Sequence, residues 1–174
     1  DLGCGTGGIT KLILERLQSA KDTVIYAVDH STTALKAAAD EIGDRKDVAI
    51  NYVHSEVQNL TGAVKERVDA IVYCNSIHYV PDKPALVAQI KEKLLPNGIF
   101  AFNTSFYEGS HPEDSHEFFR KWMMRSLRIL KREHGLSADK SAKVESRVQL
   151  KASDYVDLVE DAGFKVLVND FNRV

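Results

Sequence analysis

The sequence is poor in cysteine, in long apolar runs and in excess charge, and each shortage excludes a class of protein. Its 174 residues include two cysteines, Cys4 and Cys74, too few for a disulfide framework or a complete structural zinc site. No apolar run approaches the roughly 20 residues of a membrane-spanning helix. The 23 basic and 25 acidic residues give a formal charge of −2, so no overall positive field favours nucleic acid. We therefore predict a soluble, cytoplasmic protein without a membrane span that does not act on nucleic acid.

Helical and strand-like patterns alternate along a chain that is 44% hydrophobic and about one domain long. Apolar residues at helical spacing predict helices over 9–17, 31–42, 60–67, 84–94 and 153–162. Short runs rich in β-branched and aromatic residues predict strands over 23–28, 48–53, 69–73, 99–104 and 164–168, with a turn over 96–98. This alternation predicts an α/β fold with a doubly wound, mostly parallel sheet covered by helices on both faces.

A glycine-rich loop opens the sequence as DLGCGTGG. Gly3, Gly5 and Gly7 leave room for a ligand to approach the backbone, and the helix that follows offers free N–H groups. Asp29 ends the next predicted strand, where a carboxylate can accept hydrogen bonds from both hydroxyls of an adenosine ribose. Alternatively, Asp29 caps the helix that follows it. The loop spacing also matches the dinucleotide-binding pattern of nicotinamide-dependent enzymes.

Five segments together resemble motifs of the class I S-adenosylmethionine-dependent methyltransferases, particularly the branch that acts on small molecules. They are residues 1–7, 26–31, 53–60, 68–80 and 94–98, and the resemblance extends from Asp1 to about Asp170. It implies a Rossmann-like methyltransferase fold with a helical insertion after the family's fifth strand. It also implies S-adenosylmethionine as cofactor, S-adenosylhomocysteine as product and a small molecule as methyl acceptor.

The resemblance further implies which residues bind the cofactor. Asp1 would orient the glycine loop and the methionine amino group, Asp29 would hold the ribose, and Glu56 would meet the adenine amino group beside a backbone contact from Val57. The whole set comprises Asp1, Gly3, Cys4, Gly5, Gly7, Asp29, His30, Glu56, Val57 and Asn75.

His78 is the candidate catalytic residue. It follows the predicted strand 69–73 at the carboxyl edge of the sheet, and an imidazole can act as a general base near neutral pH. Alternatively, His78 packs against the cofactor or shapes the pocket. We predict substrate contacts from His78, Tyr79, Phe106 and Trp122.

Residues 106–152 interrupt the alternation and predict a helical insertion or lid. Within it, a capping pattern at Ser110, His111, Pro112 and Glu113 begins a predicted helix, 113–134, with an apolar stripe and six basic side chains. Three interpretations stay open: a charge pattern that complements the helix dipole, a lid over the acceptor pocket, and a contact for an acidic partner or a membrane surface. The insertion's histidines have no metal-ligand spacing, so we predict no metal.

The whole of residues 1–174 is expected to form a single methyltransferase domain. In the family, a strand precedes the glycine loop and an antiparallel strand follows the last one seen here, so we expect the sequence to be a fragment of the domain. Two other functions are considered, an NAD(P)-dependent oxidoreductase and a non-catalytic cofactor-binding module. Asp1 and the segment 75–80 favour the methyltransferase.

Overall fold

A computed structural model of the chain describes residues 1–17, 22–110, 113–137 and 149–171. The helices are α1 (Gly8–Arg16), α2 (Thr32–Ile42), α3 (Leu60–Ala63), α4 (Lys83–Lys93), α5 (Glu113–His134) and α6 (Ala152–Asp161). The strands are β1 (Thr23–Asp29), β2 (Val48–His54), β3 (Val68–Cys74) and β4 (Leu94–Asn103). Short 3-10 turns cover Val57–Asn59 and Ile77–Tyr79.

The strands form two parallel pairs that Leu2 joins. β1 pairs with β2, and β3 pairs with β4. Leu2 makes parallel bridges to Val28 of β1 and Tyr73 of β3, and its N–H donates to the carbonyl oxygen of Val72 at 2.8 Å. The glycine-rich loop therefore leaves the sheet between β1 and β3, at their carboxyl ends. This arrangement confirms the predicted parallel α/β fold.

The core is built from the apolar runs of the strands and the facing side of α4. Val28, Tyr73, Ile77, Leu86 and Ile90 are almost completely buried in one cluster. Burial of each such side chain contributes about 1.5–3 kcal/mol. This cluster fixes β1 and β3 beside each other, so their carboxyl ends form a firm base for a site.

The predicted turn over 96–98 is wrong as a boundary, because β4 begins before it. Val68 pairs with Leu94 and Ala70 pairs with Ile99, so the intervening residues of β4 are accommodated in a bulge. Asn97 adopts a φ of 65° there, and asparagine tolerates that left-handed conformation better than most residues. The local turn signal is real, but strand pairing continues on both sides of it.

The predicted strand over 164–168 is also wrong. In the part of the chain that the structure describes, these residues pair with no strand, and Leu167 and Val168 are 72% and 76% exposed. A cavity of about 1190 Å³ is lined by β4 on one side and by residues 163–171 on the other. The alternating pattern favours an extended chain, but a strand needs a hydrogen-bonded neighbour.

The predicted helix 60–67 is shorter in the structure, because Val64 turns to an extended conformation and joins the core.

Helix α5 has the bounds that its apolar stripe predicts, Glu113–His134. His111 and Pro112 of the predicted capping pattern lie outside the described residues, as does the part of the 106–152 insertion that covers 138–148. Among the described helices, including this long one, none is both long and apolar enough to cross a bilayer.

Candidate functional site

The glycine-rich loop presents open space at Gly5 and close packing at Gly7. Both residues have left-handed backbone conformations, with φ of 55° and 87°, which glycine adopts without steric cost. A Cβ on Gly7 would lie 3.0 Å from the Cβ of Ala38, so this end of the loop rests on α2. A Cβ on Gly5 would meet no atom within 4 Å. The loop is therefore anchored at Gly7 and open to a ligand at Gly5.

Asp29, at the end of β1, holds this loop in place. Its carboxylate is 6% exposed and accepts hydrogen bonds from the Gly5 N–H (2.8 Å) and the Ser31 N–H (2.8 Å), one on each oxygen. The Ser31 side chain accepts from the Ala34 N–H and caps α2, so the capping role belongs to Ser31. A carboxylate has about four lone-pair sites, so Asp29 can accept two further hydroxyl donors. The His30 ring is 3.5 Å from Asp29 and largely exposed.

Asp1 has one carboxylate oxygen in use and one without a partner. Its Oδ2 accepts a hydrogen bond of 2.6 Å from the hydroxyl of Thr10, which is fully buried in α1. Its Oδ1 is buried and has no hydrogen-bond partner among the described residues. A buried acceptor left unpaired is costly, so this atom marks a place for a donor from a ligand. Sequence analysis missed Thr10, whose signal is a threonine at a buried position in the first turn of an amphipathic helix.

Tyr73 connects three of the predicted cofactor residues. Its ring is buried, and a Cβ on Gly3 would lie 3.2 Å from it. Burial raises the pKa of Tyr73, and the charges of Asp29 and Glu56 raise it further. Both carboxylates therefore lie within electrostatic reach of the same ring. The Glu56 side chain is exposed, and Val57 begins the adjoining 3-10 turn. The structure thus brings Gly3, Asp29 and Glu56 to one edge of the sheet.

Cys4 supports the loop from beneath. Its side chain is buried beside Ala27 and Leu35, and burial together with the charge of Asp29 raises the pKa of the thiol to about 11. Its N–H donates to Val28, and its carbonyl accepts from Gly7. The polar backbone groups of Cys4 serve the loop itself, and its contact with the cofactor stays a prediction.

Asn75 fastens the loop after β3 to the loop after β4. Its φ is 50°, and its N–H donates to the side-chain oxygen of Asn103 at 2.7 Å. Its side-chain oxygen accepts from the hydroxyl of Ser105 at 2.8 Å. These hydrogen bonds position this edge of the site, and a contact between Asn75 and the cofactor stays a prediction.

His78 is buried beside two aromatic rings and has one free nitrogen. It is 3% exposed, with ring centroids 4.1 Å from Tyr79 and 4.5 Å from Phe106. Its Nδ1 lies 3.0 Å from the Thr104 hydroxyl, which accepts from the Phe106 N–H and donates to the Phe106 carbonyl. In the tautomer that carries its proton on Nδ1, the ring donates to the Thr104 hydroxyl and leaves Nε2 as an acceptor. The bare Nε2 is buried with no partner in the described ranges.

The environment of His78 favours its neutral form. Burial lowers the pKa of His78, and the charge of Lys83 lowers it further. A neutral imidazole with a bare, desolvated Nε2 can accept a proton from a ligand. Thr104, which orients the ring, has no recognisable signal in the sequence.

The structure brings together three of the four predicted substrate residues. Tyr79 and Phe106 flank His78 and are 53% and 40% exposed. Trp122 lies on α5, is 55% exposed and makes no ring contact with these residues in the described part of the chain. The predicted substrate role of Trp122 therefore lacks the proximity that the other three share.

Comparison with known proteins gives a family match and several relatives. A family model described as "Methyltransferase domain" matches residues 1–100. The malonyl-[acyl-carrier protein] O-methyltransferase of Halalkalibacterium halodurans is 32% identical over 117 residues, which cover 62% of this chain and 40% of that protein. The trans-aconitate 2-methyltransferase of Deinococcus radiodurans is 29% identical over 118 residues, covering 67% of this chain and 40% of that protein.

Solved structures show the same fold. The arsenic(III) S-adenosylmethionine methyltransferase of Chlamydomonas reinhardtii superimposes with a TM-score of 0.61 at 19% identity, covering 94% of this chain and 50% of that one. The chain thus spans about half of this structure and about 40% of the length of the two curated relatives. The family match covers more than half of the sequence and includes the glycine-rich loop, Asp29, Glu56 and His78. The chain therefore belongs to this methyltransferase family, as its sequence motifs predict.

Proposed function

We propose that the chain binds S-adenosylmethionine at the glycine-rich loop and transfers its methyl group to a small molecule held beside His78. One observation carries this proposal. The Gly5 N–H donates to the Asp29 carboxylate, which joins the open loop and the acid of the next strand into one site.

The groups at this site suit the cofactor because they are acceptors. Asp1 offers a buried, unpaired oxygen, Asp29 offers further lone pairs, and Glu56 is exposed. S-adenosylmethionine presents donors that match them: an ammonium for Asp1, two ribose hydroxyls for Asp29 and an adenine amino group for Glu56. The open space at Gly5 leaves room for the ligand along the loop.

Asp1 disfavours a nicotinamide dinucleotide. The pyrophosphate of such a ligand is negatively charged and would lie at the glycine-rich loop beside this carboxylate, where like charges repel. The family match also favours the methyltransferase over the oxidoreductase that the loop spacing alone allows.

S-adenosylmethionine supplies a methyl group on a positively charged sulfur, which leaves as the neutral thioether of S-adenosylhomocysteine. The protein must align the acceptor and exclude water. Where the acceptor is a hydroxyl, the bare Nε2 of His78 takes the proton that the acceptor loses. Tyr79 and Phe106 supply an apolar wall beside it. This unpaired base favours a catalytic domain over a non-catalytic binding module.

We also propose a cytoplasmic location and an acceptor other than nucleic acid. Cys4 and Cys74 are free thiols, which suits a reducing compartment. The net charge of −2 provides no general attraction to phosphate backbones.

A methyl-transfer assay tests the catalytic part of this proposal. The chain is incubated with methyl-labelled S-adenosylmethionine and a panel of small carboxylic acids and phenols. His78→Gln should slow transfer to phenols about 100-fold and transfer to carboxylates far less, because an ionised carboxylate has no proton to lose. His116→Gln, at an exposed position of α5, is the matched control and should keep the wild-type rates. Equal rates for wild type and His78→Gln on phenols would exclude His78 as the base, and hydride exchange from NADH without methyl transfer would exclude the methyltransferase.

A further inference from the structure

Helix α5 divides lengthwise into an apolar half and a basic half. At 100° per residue, one side of the helix carries Phe118, Phe119, Trp122, Met123, Ile129 and Leu130. The other side carries Arg120, Lys121, Arg125, Arg128, Lys131 and Arg132, together with the exposed Met124, and has no acidic residue between 118 and 132. The chain as a whole has a charge of −2, so this segment concentrates positive charge that the rest of the molecule outweighs.

Three side chains of the apolar half of α5 are more than half exposed. Phe118, Trp122 and Met123 are 63%, 55% and 51% exposed, and no other described element packs extensively against the helix. A contiguous apolar surface of this kind marks a binding site for another molecule or a membrane.

Within the described residues, two of the six basic side chains of the basic half form ion pairs. Lys121 pairs with Glu117 at 2.8 Å and Arg132 pairs with Glu133 at 2.6 Å. Arg120, Arg125 and Arg128 line one shallow cavity with Lys121 and form no ion pair with the residues that the structure describes. The positive charge of this half is therefore available to an anionic surface.

We propose that α5 lies flat in the interface of a bilayer that contains anionic lipid. Its apolar half would enter the acyl region, and its basic half would face the phosphate groups. Arg120 and Arg125 lie at the two margins of the apolar half, where long side chains can bury their stems and keep their charges at headgroup level. The helix is too polar to cross the bilayer.

A bilayer fits this pattern better than an acidic protein does. The apolar and basic halves lie on opposite sides of the helix, so a protein partner would have to surround it to satisfy both. A bilayer offers apolar chains and anionic headgroups in successive layers at the same place, which is the environment of interfacial amphipathic helices with basic polar faces.

Trp122 is the single tryptophan of the chain and reports directly on this proposal. Its fluorescence is measured with vesicles of phosphatidylcholine alone and of phosphatidylcholine mixed with phosphatidylglycerol. The emission should shift to the blue with the mixed vesicles only and should be quenched by lipids that are brominated on their acyl chains. High salt should weaken the binding, because it screens the headgroup charges.

A pair of matched variants separates charge on α5 from charge elsewhere. Each basic residue near an anionic surface contributes about fivefold in affinity, so Arg125→Gln/Arg128→Gln should bind about 25-fold more weakly. Lys36→Gln/Lys46→Gln removes the same charge at two exposed positions and should bind like the wild type. Glutamine preserves helix propensity, and circular dichroism checks that both variants are folded.

Three results would overturn the proposal. The first is the absence of an emission shift with the anionic vesicles. The second is an equal loss of vesicle binding in the two double variants. The third is a shift that S-adenosylhomocysteine produces and vesicles do not, which would assign the apolar half of α5 to a lid over the protein's own site.

Discussion

At the scale of single residues, Asp1 and His78 are buried polar groups of the site that each keep one atom without a hydrogen-bond partner among the described residues. Sequence motifs identify Asp1 and His78, but they do not reveal which oxygen or nitrogen is free. That detail depends on Thr10, which occupies one oxygen of Asp1, and on Thr104, which occupies Nδ1 of His78. Threonine is common, and Thr104 is distant from His78 in the sequence. Only the fold reveals these pairings.

The pH dependence of methyl transfer follows from the environment of His78. Because burial and Lys83 lower the pKa of His78 below the ordinary value of 6.5, more than half of the rings are neutral at pH 6.5. The rate with a phenol should therefore fall to half of its plateau only at a pH below 6.5. A pH–rate profile checks this, and an acidic limb centred at or above 6.5 would refute it.

The same shift in pKa affects stability. The unfolded chain takes up a proton on His78 at a higher pH than the folded chain does, so protonation favours unfolding. The free energy of unfolding should fall as the pH drops below 6.5, in urea titrations at successive pH values. His78→Gln should reduce this dependence, and an unchanged slope would show that other groups cause it.

Alanine substitutions at Gly5 and Gly7 should rank in opposite order in their effects on ligand affinity and on the free energy of unfolding. A left-handed alanine costs about 1–2 kcal/mol at either position, and Gly7→Ala adds a contact of 3.0 Å with Ala38. Gly7→Ala should therefore be the more destabilised in urea unfolding. Gly5→Ala places its methyl group in the open space and should therefore lower the affinity for S-adenosylhomocysteine more than Gly7→Ala does. The reverse order in both measurements would mean that the ligand does not approach at Gly5.

At the scale of helices and strands, the sequence predicts the elements that a local residue pattern determines. It fails where the structure depends on whether a neighbouring strand pairs with the segment. The sequence predicts the bounds of β1 and β3 to within one residue at each end, because their apolar runs end at polar residues. The run 164–168 has the same alternation but pairs with no strand in the described chain, and the turn at 96–98 became a bulge inside β4. In both segments the structure depends on which strand is available as a hydrogen-bonding partner. A local residue pattern carries no information about such partners.

The start of α2 offers a test of one local interaction. Ser31 caps this helix through a hydrogen bond from the Ala34 N–H to its side chain. Ser31→Ala should lower the free energy of unfolding by about 1 kcal/mol, as measured by urea denaturation. Thr33→Ala, at an exposed position within α2, should change it far less. Equal losses in the free energy of unfolding for the two variants would show that the missing cap does not cause the destabilisation of Ser31→Ala.

At the scale of the whole molecule, function follows from the common direction of the strands. Three of the motifs, 26–31, 53–60 and 68–80, extend past the carboxyl ends of β1, β2 and β3, and parallel strands bring those ends to one edge. Asp29, Glu56 and His78 therefore come from separate segments but belong to one edge of the sheet. The motifs predict the cofactor half of the site, whereas the acceptor half depends on side chains such as Tyr79 and Phe106 that many pockets use.

The central claim is that this edge binds S-adenosylmethionine, and calorimetric titration tests it most directly. The chain is titrated with S-adenosylmethionine, S-adenosylhomocysteine and NADH, together with Asp29→Asn and the exposed control Asp44→Asn. An amide at position 29 cannot accept from both Gly5 and Ser31, so its affinity for the first two ligands should fall about tenfold or more. We expect the wild type and Asp44→Asn to bind S-adenosylmethionine and S-adenosylhomocysteine with micromolar affinity and not to bind NADH. A folded chain that binds NADH alone, or that binds S-adenosylmethionine equally well with Asp29→Asn, would contradict it.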